Sequence, residues 1–330
     1  GSGWLAGFAQ MPIAIDLGVT VVGQTVAERR VRLRSDAESV AADVALDLDD
    51  PAGIEPPWAR YVGAVVAQLR PQHGFDGTVR STLPTGVGLS SSAALEVAVA
   101  LALGADASDP VGLARLCQAA EHAARGVPTG ILDQISSICG VAGHALLLDC
   151  HAVRVTPVAL PGDEEIEWVV VVPPAGRDLG TSGYADRVTE LARAERQIGP
   201  LRTASEDDLD RLSDPVVRAR AMHVVTENAR VHTFVEAITS GDVVAAGALM
   251  NDSHVSLTRD FESSTPAIDA LCERLVTAPG VLGARITGGG WGGSVIAMAR
   301  PGALAGWPGA LVVTPGDGAT RRRPPRAATG

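Results

Sequence analysis

Pro84-Thr-Gly-Val-Gly-Leu-Ser-Ser-Ser-Ala-Ala94 is the stretch that decides how this chain is read. A β-type run, Gly77 to Leu83, leads into it, and an apolar, alanine-rich helical run, Ala93 to Leu103, leads out. The pattern is strand, glycine-rich turn and helix start. The first turn of a helix has backbone N–H groups without partners, and the helix dipole puts partial positive charge there. Gly86 and Gly88 lack a Cβ, so the backbone can bend tightly and approach an anion closely. A capped helix after a tight turn needs one hydroxyl and one glycine. Two glycines with Ser90, Ser91 and Ser92 exceed that need, and the stretch reads as a phosphate-binding loop. It is not a Walker loop, because no Gly-Lys-Ser/Thr follows and the chain contains no lysine. It is not the Gly-x-Gly-x-x-Gly fingerprint of dinucleotide-binding folds either.

Around this loop, 330 residues give room for one large domain or two medium ones. At 46% hydrophobic and 20% charged residues the composition is globular. No apolar run reaches membrane-spanning length, and no stretch reads as a secretory signal. The net charge of −11 argues against nucleic acid or an anionic membrane as partner. A polyanionic substrate would then need local help from amides, arginines or a metal ion. Cys117, Cys139, Cys150 and Cys272 are scattered without a CxxC pair. That usage suits buried free thiols in a reducing, cytoplasmic setting.

Upstream, Met11–Val22 and Thr25–Arg34 read as a hairpin turning near Gly23, followed by a short strand at 44–48 and a helix at 58–69. Downstream, Asp109-Pro110 caps a helix over 111–124 that carries Glu121 and His122 in its last turns. A short helix at 131–138 has Asp133 in its first turn. Runs at 144–149 and 153–160 form a hairpin, and 168–172 is a strand apolar on both faces. A helical block spans 183–277, and strands at 283–287 and 295–299 flank Gly288-Gly-Gly-Trp-Gly-Gly293. The segment from Gly316 onward, with Arg321-Arg-Arg-Pro-Pro-Arg326, reads as a solvated, disordered tail.

Phosphoryl transfer needs phosphate neutralisation, a metal ion, a positioned acceptor hydroxyl and often a base. Mg²⁺ takes oxygen ligands, one or two of them from protein, and Ser91 and Glu121 have the right chemistry. Glu121 reads equally as a helix-surface carboxylate. Asp133 reads equally as a first-turn residue suited to the helix dipole, and local sequence does not choose. Five glycines in the six positions 288–293 exceed what a turn demands and point to close backbone approach. Tyr184 reads by itself as an amphipathic residue at a helix start.

The first motif resembles the phosphate-binding motif of the GHMP kinases, and its triple serine followed by Ala-Leu-Glu-Val-Ala is most similar to the galactokinase branch. Gln118-Ala-Ala-Glu-His122 with Gly126-Val-Pro-Thr-Gly-Ile-Leu-Asp-Gln134 resembles that branch's segment ending in Gly-Ile-Met-Asp-Gln. Gly143–Cys150, Thr181-Ser-Gly-Tyr184, Arg218–Glu227, Met250–His254 and Arg285–Gly293 follow in family order. The resemblance implies an α+β, two-domain GHMP kinase fold with the active site in the interdomain cleft. The expected division is 1–163 (ATP-binding) and 164–318, with 319–330 as tail. It implies ATP and Mg²⁺ as cofactors and a monosaccharide as substrate, phosphorylated at its anomeric hydroxyl.

On this reading Pro84, Gly86, Gly88, Leu89, Ser90, Ser91, Ser92 and Ala93 hold ATP phosphates, and Ser91 and Glu121 hold Mg²⁺. Asp133 takes the sugar proton. Gly130, Asp133 and Tyr184 contact the sugar, and Gly288, Gly289 and Gly290 shape the cleft floor. The branch also carries an Arg and a Gly-Glu-His-Thr-Asp-Tyr signature just before the stretch matching Pro12–Asp16. Here Gly1, Ser2 and Trp4 stand where its Glu, His and Asp are expected. Three readings follow: a galactokinase, an anomeric kinase for another sugar, and a non-catalytic ligand sensor. Galactose is the expected substrate.

Overall fold

The computed structural model describes residues 9–84, 88–126, 129–173 and 182–322. In chain order the strands are β1 (Ala9–Gln10), β2 (Val19–Val26), β3 (Arg30–Ser35), β4 (Ala42–Ala45), β5 (Gly74–Ser81), β6 (His144–Asp149), β7 (Arg154–Ala159), β8 (Glu167–Val171), β9 (Val281–Thr287), β10 (Ser294–Ala299) and β11 (Ala310–Val313). The helices are α1 (Ala59–Leu69), α2 (Ser91–Ala102), α3 (Pro110–Arg125), α4 (Leu132–Cys139), α5 (Ser182–Ile198), α6 (Pro215–Thr239), α7 (Val243–Arg259) and α8 (Pro266–Val276). The fold is α+β. It divides into two compact units: one from the described parts of Gly1–Leu17, Leu83–Ser90 and Gly140–Asp317, the other from Gly18–Thr82, Ser91–Cys139 and the described residues after Asp317. The units therefore interleave in sequence, and residue 163 lies inside the first of them.

The second unit is a four-stranded sheet, ordered β2-β5-β3-β4, with α1 to α4. Its core gathers Val31, Leu33, Val44, Phe75 and Val79 from the strands with Val62, Val65, Val97, Leu101 and Cys117 from the helices. The expected hairpin at 11–34 does not form. β2 pairs antiparallel with β5 (Val19↔Ser81), β3 pairs parallel with β5, and the chain turns after Val26 rather than at Gly23. Alternation marks strands but not their partners, and β5 lies between the two. α3 starts as its residues dictate. The Asp109 side chain accepts from Gly112 N at 2.9 Å, Pro110 is the first helical residue, and Gly126 closes the end at φ 69°.

The first unit holds a three-stranded sheet, β1-β6-β7, and a four-stranded antiparallel sheet, β11-β8-β10-β9. β8 is central because Trp168, Val169, Val170 and Val171 are all buried, each worth about 1.5–3 kcal/mol relative to exposure. α5 to α8 complete this unit, their buried Leu191, Val217, Val224, Ile268 and Leu275 meeting Ile286 and Val295. β11 was not expected from the sequence. The segment after Val313 is also more tied down than expected. Gly316 N donates to Ala14 O, Asp317 Oδ1 accepts from Ala142 N, and Ala319 N donates to Ser137 O. Among the described residues, no helix is long and apolar enough to cross a membrane.

Candidate active site

In the second unit, α2, the stretch at Thr129 and α4 converge on Glu121 of α3. It lies in the penultimate turn of α3 and is 3% exposed. Its Oε1 accepts from Ser92 Oγ at 2.9 Å and distantly from Arg125 Nη1 at 3.4 Å. Its Oε2 accepts from Gln134 Nε2 at 2.8 Å and Thr129 Oγ1 at 3.1 Å. A buried carboxyl group is costly unless its oxygens find hydrogen-bond partners, and both oxygens of Glu121 do. Glu121 is therefore not a helix-surface residue. Ser91 is the first residue of α2 and is exposed, while Ser92 is the serine bonded to Glu121. Ala93 points into the core.

The segment entering α4 is braced by the same helix. His122 Nε2 lies 2.7 Å from Thr129 N and 2.9 Å from Thr129 O, and Thr129 O accepts from Gln118 Nε2 at 2.9 Å. Gly130 follows, half-buried, and Asp133 sits half-buried in the first turn of α4 beside Gln134. The donor that orients Glu121 and the candidate base are thus consecutive residues.

Two residues of this cluster were not singled out from sequence. Gln134 is fully buried, and Glu96 on α2 is fully buried with neither carboxyl oxygen hydrogen-bonded among the described residues. Gln134 Oε1 is in the same condition. Burial first, and the neighbouring Glu121 carboxylate second, push Glu96 up to about 9 against the opposing effect of Gln134. At neutral pH Glu96 is a carboxylic acid. The signal in the sequence was a single acidic residue inside the apolar run Ala93 to Leu103.

In the first unit, the described part of the glycine loop and the glycine run meet. Gly88 has φ 76° and Ser90 φ 55°, so left-handed backbone at a serine precedes α2, the kind of strain that turns successive amides toward an anion. Pro84 is half-buried, and Leu89 packs into the apolar cluster around Trp168, Met250 and Met298. Gly86 lies outside the described residues, as do Gly1, Ser2 and Trp4. Gly288, exposed with φ 81°, lies so that a Cβ would stand 3.0 Å from Gly88 O. The expected close backbone approach is real. Gly289 is exposed in the same turn, and Gly290 is buried at φ 92° against Ser263. Tyr184 is half-buried in the first turn of α5.

Residues 60–141 match the GHMP kinases N-terminal domain family, and residues 234–305 match the GHMP kinases C-terminal family. The galactokinase of Canis lupus familiaris is 35% identical over 304 residues, covering 87% of this chain and 77% of that protein. That of Mycobacterium tuberculosis H37Rv is 37% identical over 305 residues, covering 88% and 83%. The crystal structure of Lactococcus lactis galactokinase complexed with galactose superposes with a TM-score of 0.85 at 28% identity, covering 96% of this chain and 90% of that one. A mevalonate kinase structure shares the fold at TM-score 0.64 and 18% identity. Fold, collinear motifs and this level of identity agree: the chain belongs to the galactokinase family of the GHMP kinases.

Proposed function

We propose that this protein transfers the γ-phosphoryl group of ATP to the anomeric hydroxyl of galactose, giving galactose 1-phosphate and ADP. The observation that carries the reading is the Glu121 cluster, in which a buried, fully bonded carboxylate is held by the residue next to Asp133. A non-catalytic sensor has no need to maintain that arrangement.

Asp133 takes the proton of the anomeric hydroxyl as its oxygen bonds to the γ-phosphorus, and the bond from that phosphorus to the β-phosphate oxygen breaks. Gly130 and Tyr184 hold the sugar, and Gly288 to Gly290 shape the floor of its site. The amides from Gly88 to Ser92 at the start of α2 bind phosphate oxygens, with Pro84, Leu89 and Ala93 fixing the loop. Mg²⁺ fits the donor set: the Ser91 hydroxyl and the Glu121 carboxylate are hard oxygen ligands, and the long contact from Arg125 is the one that an ion would replace. Such an ion supplies charge neutralisation at the transferring phosphate. ATP and a monosaccharide are the partners; the acidic net charge leaves no role for nucleic acid. A cytoplasmic location suits this substrate pair and the four free thiols.

The test is ADP release, dependent on ATP and Mg²⁺, across a panel of free sugars, with ³¹P NMR of the product. Release with galactose and an anomeric phosphate signal is expected. Release only with another sugar refutes galactose as substrate, and ATP binding without release for any sugar refutes catalysis.

A further inference from the structure

The first turn of α5 is tied down at both ends by a closed circuit of contacts. An ideal Cβ on Gly183 would lie 2.4 Å from Trp291 Cε2, 2.6 Å from Nε1 and 2.8 Å from Cζ2, so the indole occupies the space where a side chain would be. The backbone that carries the ring is held in place. Trp291 N donates to Ser263 O at 2.6 Å, and its φ of 53° is a left-handed conformation that a bulky residue keeps only when its surroundings enforce it. Gly290, next to it, is packed so closely on Ser263 that a Cβ would stand 2.6 Å from Ser263 O.

The circuit closes on the other side through buried charge. Arg187, one turn along α5 from Tyr184, donates to Phe261 O at 2.5 Å and to Glu190 at 2.6 Å. Arg220 of α6, 3% exposed, donates to the same Glu190 at 3.0 Å, to Asp260 O at 2.6 Å and to Glu262 at 2.7 Å. The segment from Asp260 to Ser263 is thereby fixed to α5 at Arg187 and to the glycine run at Trp291. Tyr184 stands between the two anchor points, adjacent to Gly183 and three residues before Arg187.

We propose that Trp291 is a positioning residue for Tyr184: its indole, lodged against Gly183 on a backbone anchored to Ser263, sets where the first turn of α5 presents the tyrosine. This rests on the reading of Tyr184 as a sugar contact. It also gives the glycine run a second duty, since the aromatic residue within it couples the run to the sugar side of the site. A substrate-binding group displaced by about 1 Å loses an order of magnitude or more in productive binding, so a joint of this kind is felt kinetically without touching the substrate.

The experiment is a double-mutant cycle of Gly183→Ala and Trp291→Leu, with Tyr184→Phe as reference, reading the KM for sugar, the KM for ATP and the thermal midpoint. Gly183→Ala forces ring and helix apart and is expected to raise the sugar KM about tenfold with the ATP KM within about twofold. Trp291→Leu raises it several-fold by leaving a void. The double variant returns to within about threefold of wild type, because the new methyl group fills that void. Multiplicative effects in the cycle overturn the joint. So does an unchanged sugar KM in both single variants while Tyr184→Phe is impaired, since a purely structural role lowers only the midpoint. An unaffected Tyr184→Phe overturns the sugar contact instead, and the cycle in thermal midpoints then still reads the joint. If Gly183→Ala does not fold, Trp291→Phe and Trp291→Leu decide: a graded rise in sugar KM supports the proposal, and no rise refutes it.

Discussion

Replacing Glu96 with glutamine should make the protein's stability less dependent on pH, in a direction and by an amount that the structure sets. Glu96 ordinarily titrates at 4.5 and is pushed up to about 9 by burial and by Glu121. For an acid raised on folding, the native state binds more protons than the unfolded chain between those two values. The stability contribution is therefore complete below the unfolded value and is lost as pH rises through the folded one. Within that window the slope is one proton, about 1.4 kcal/mol per pH unit. From about pH 6 to about pH 8 the wild type should lose about 2.7 kcal/mol through this residue alone, and Glu96→Gln none of it. A buried glutamine adds its own fixed cost, but that offset is the same at every pH and drops out of the difference. All other titrating groups are shared by the two proteins. Urea unfolding followed by far-UV circular dichroism at several pH values, with m-values matched, measures it. Parallel stability curves for wild type and variant would refute the reasoning, because Glu96 would then be ionised in the native state at neutral pH.

Asp133→Asn should lower kcat by at least about 10²-fold while ATP affinity stays within about twofold. A fall in thermal midpoint with proportionate loss of both would instead make Asp133 a first-turn structural residue. Gly290→Ala should cost about 3 kcal/mol or more, since its φ is 92° and the added methyl meets the Ser263 carbonyl. Gly143→Ala is the control: φ is 72° but nothing lies within 4 Å, so about 1–2 kcal/mol is expected by chemical denaturation. Burial pushes Cys150 and Cys272 up to about 12 and Cys117 further up, while Cys139 is only half-buried and raised less. A thiol-titrating reagent should reach Cys139 first in the native protein, and Cys139→Ser should remove that phase.

Much of the secondary structure was legible because the deciding interactions are local. Asp109 and Pro110 start α3, and the unbroken apolar run at β8 marks a strand covered on both faces. Strand order was not legible. β2 and β3 adjoin in sequence yet both pair with β5, a choice made by which faces can be buried together and not by either strand's pattern. β11 was hidden in a four-residue run with too little alternation to stand out, and the tail's hydrogen bonds to Ala14, Ala142 and Ser137 leave no trace in its composition. At the site, the glycine loop announced itself through its excess of small and hydroxylated residues. Glu121 and Asp133 did not, since each has an ordinary helical reading, and family resemblance alone singled them out. Glu96, Gln134 and Trp291 escaped because their importance lies in what surrounds them, and burial and close approach are properties of the folded chain.

The interleaving of the two units has a bearing on when the protein becomes competent during synthesis. Residues 18–139 could fold as they emerge, except that Leu83–Ser90 departs from this unit to join the other. That other unit draws its four-stranded sheet from β8, β9, β10 and β11, so its last strand ends at Val313. At about 5–20 residues per second, the ribosome needs on the order of ten seconds or more between delivering the glycine loop and delivering the sheet that belongs with it. During that interval a nascent chain carries α2 with its serines and the Glu121 cluster but lacks the partner surface for Gly88, because Gly288 has not yet been made. The backbone that packs against Gly88 is thus supplied only when synthesis is nearly finished, and a chain truncated anywhere before Gly288 lacks it.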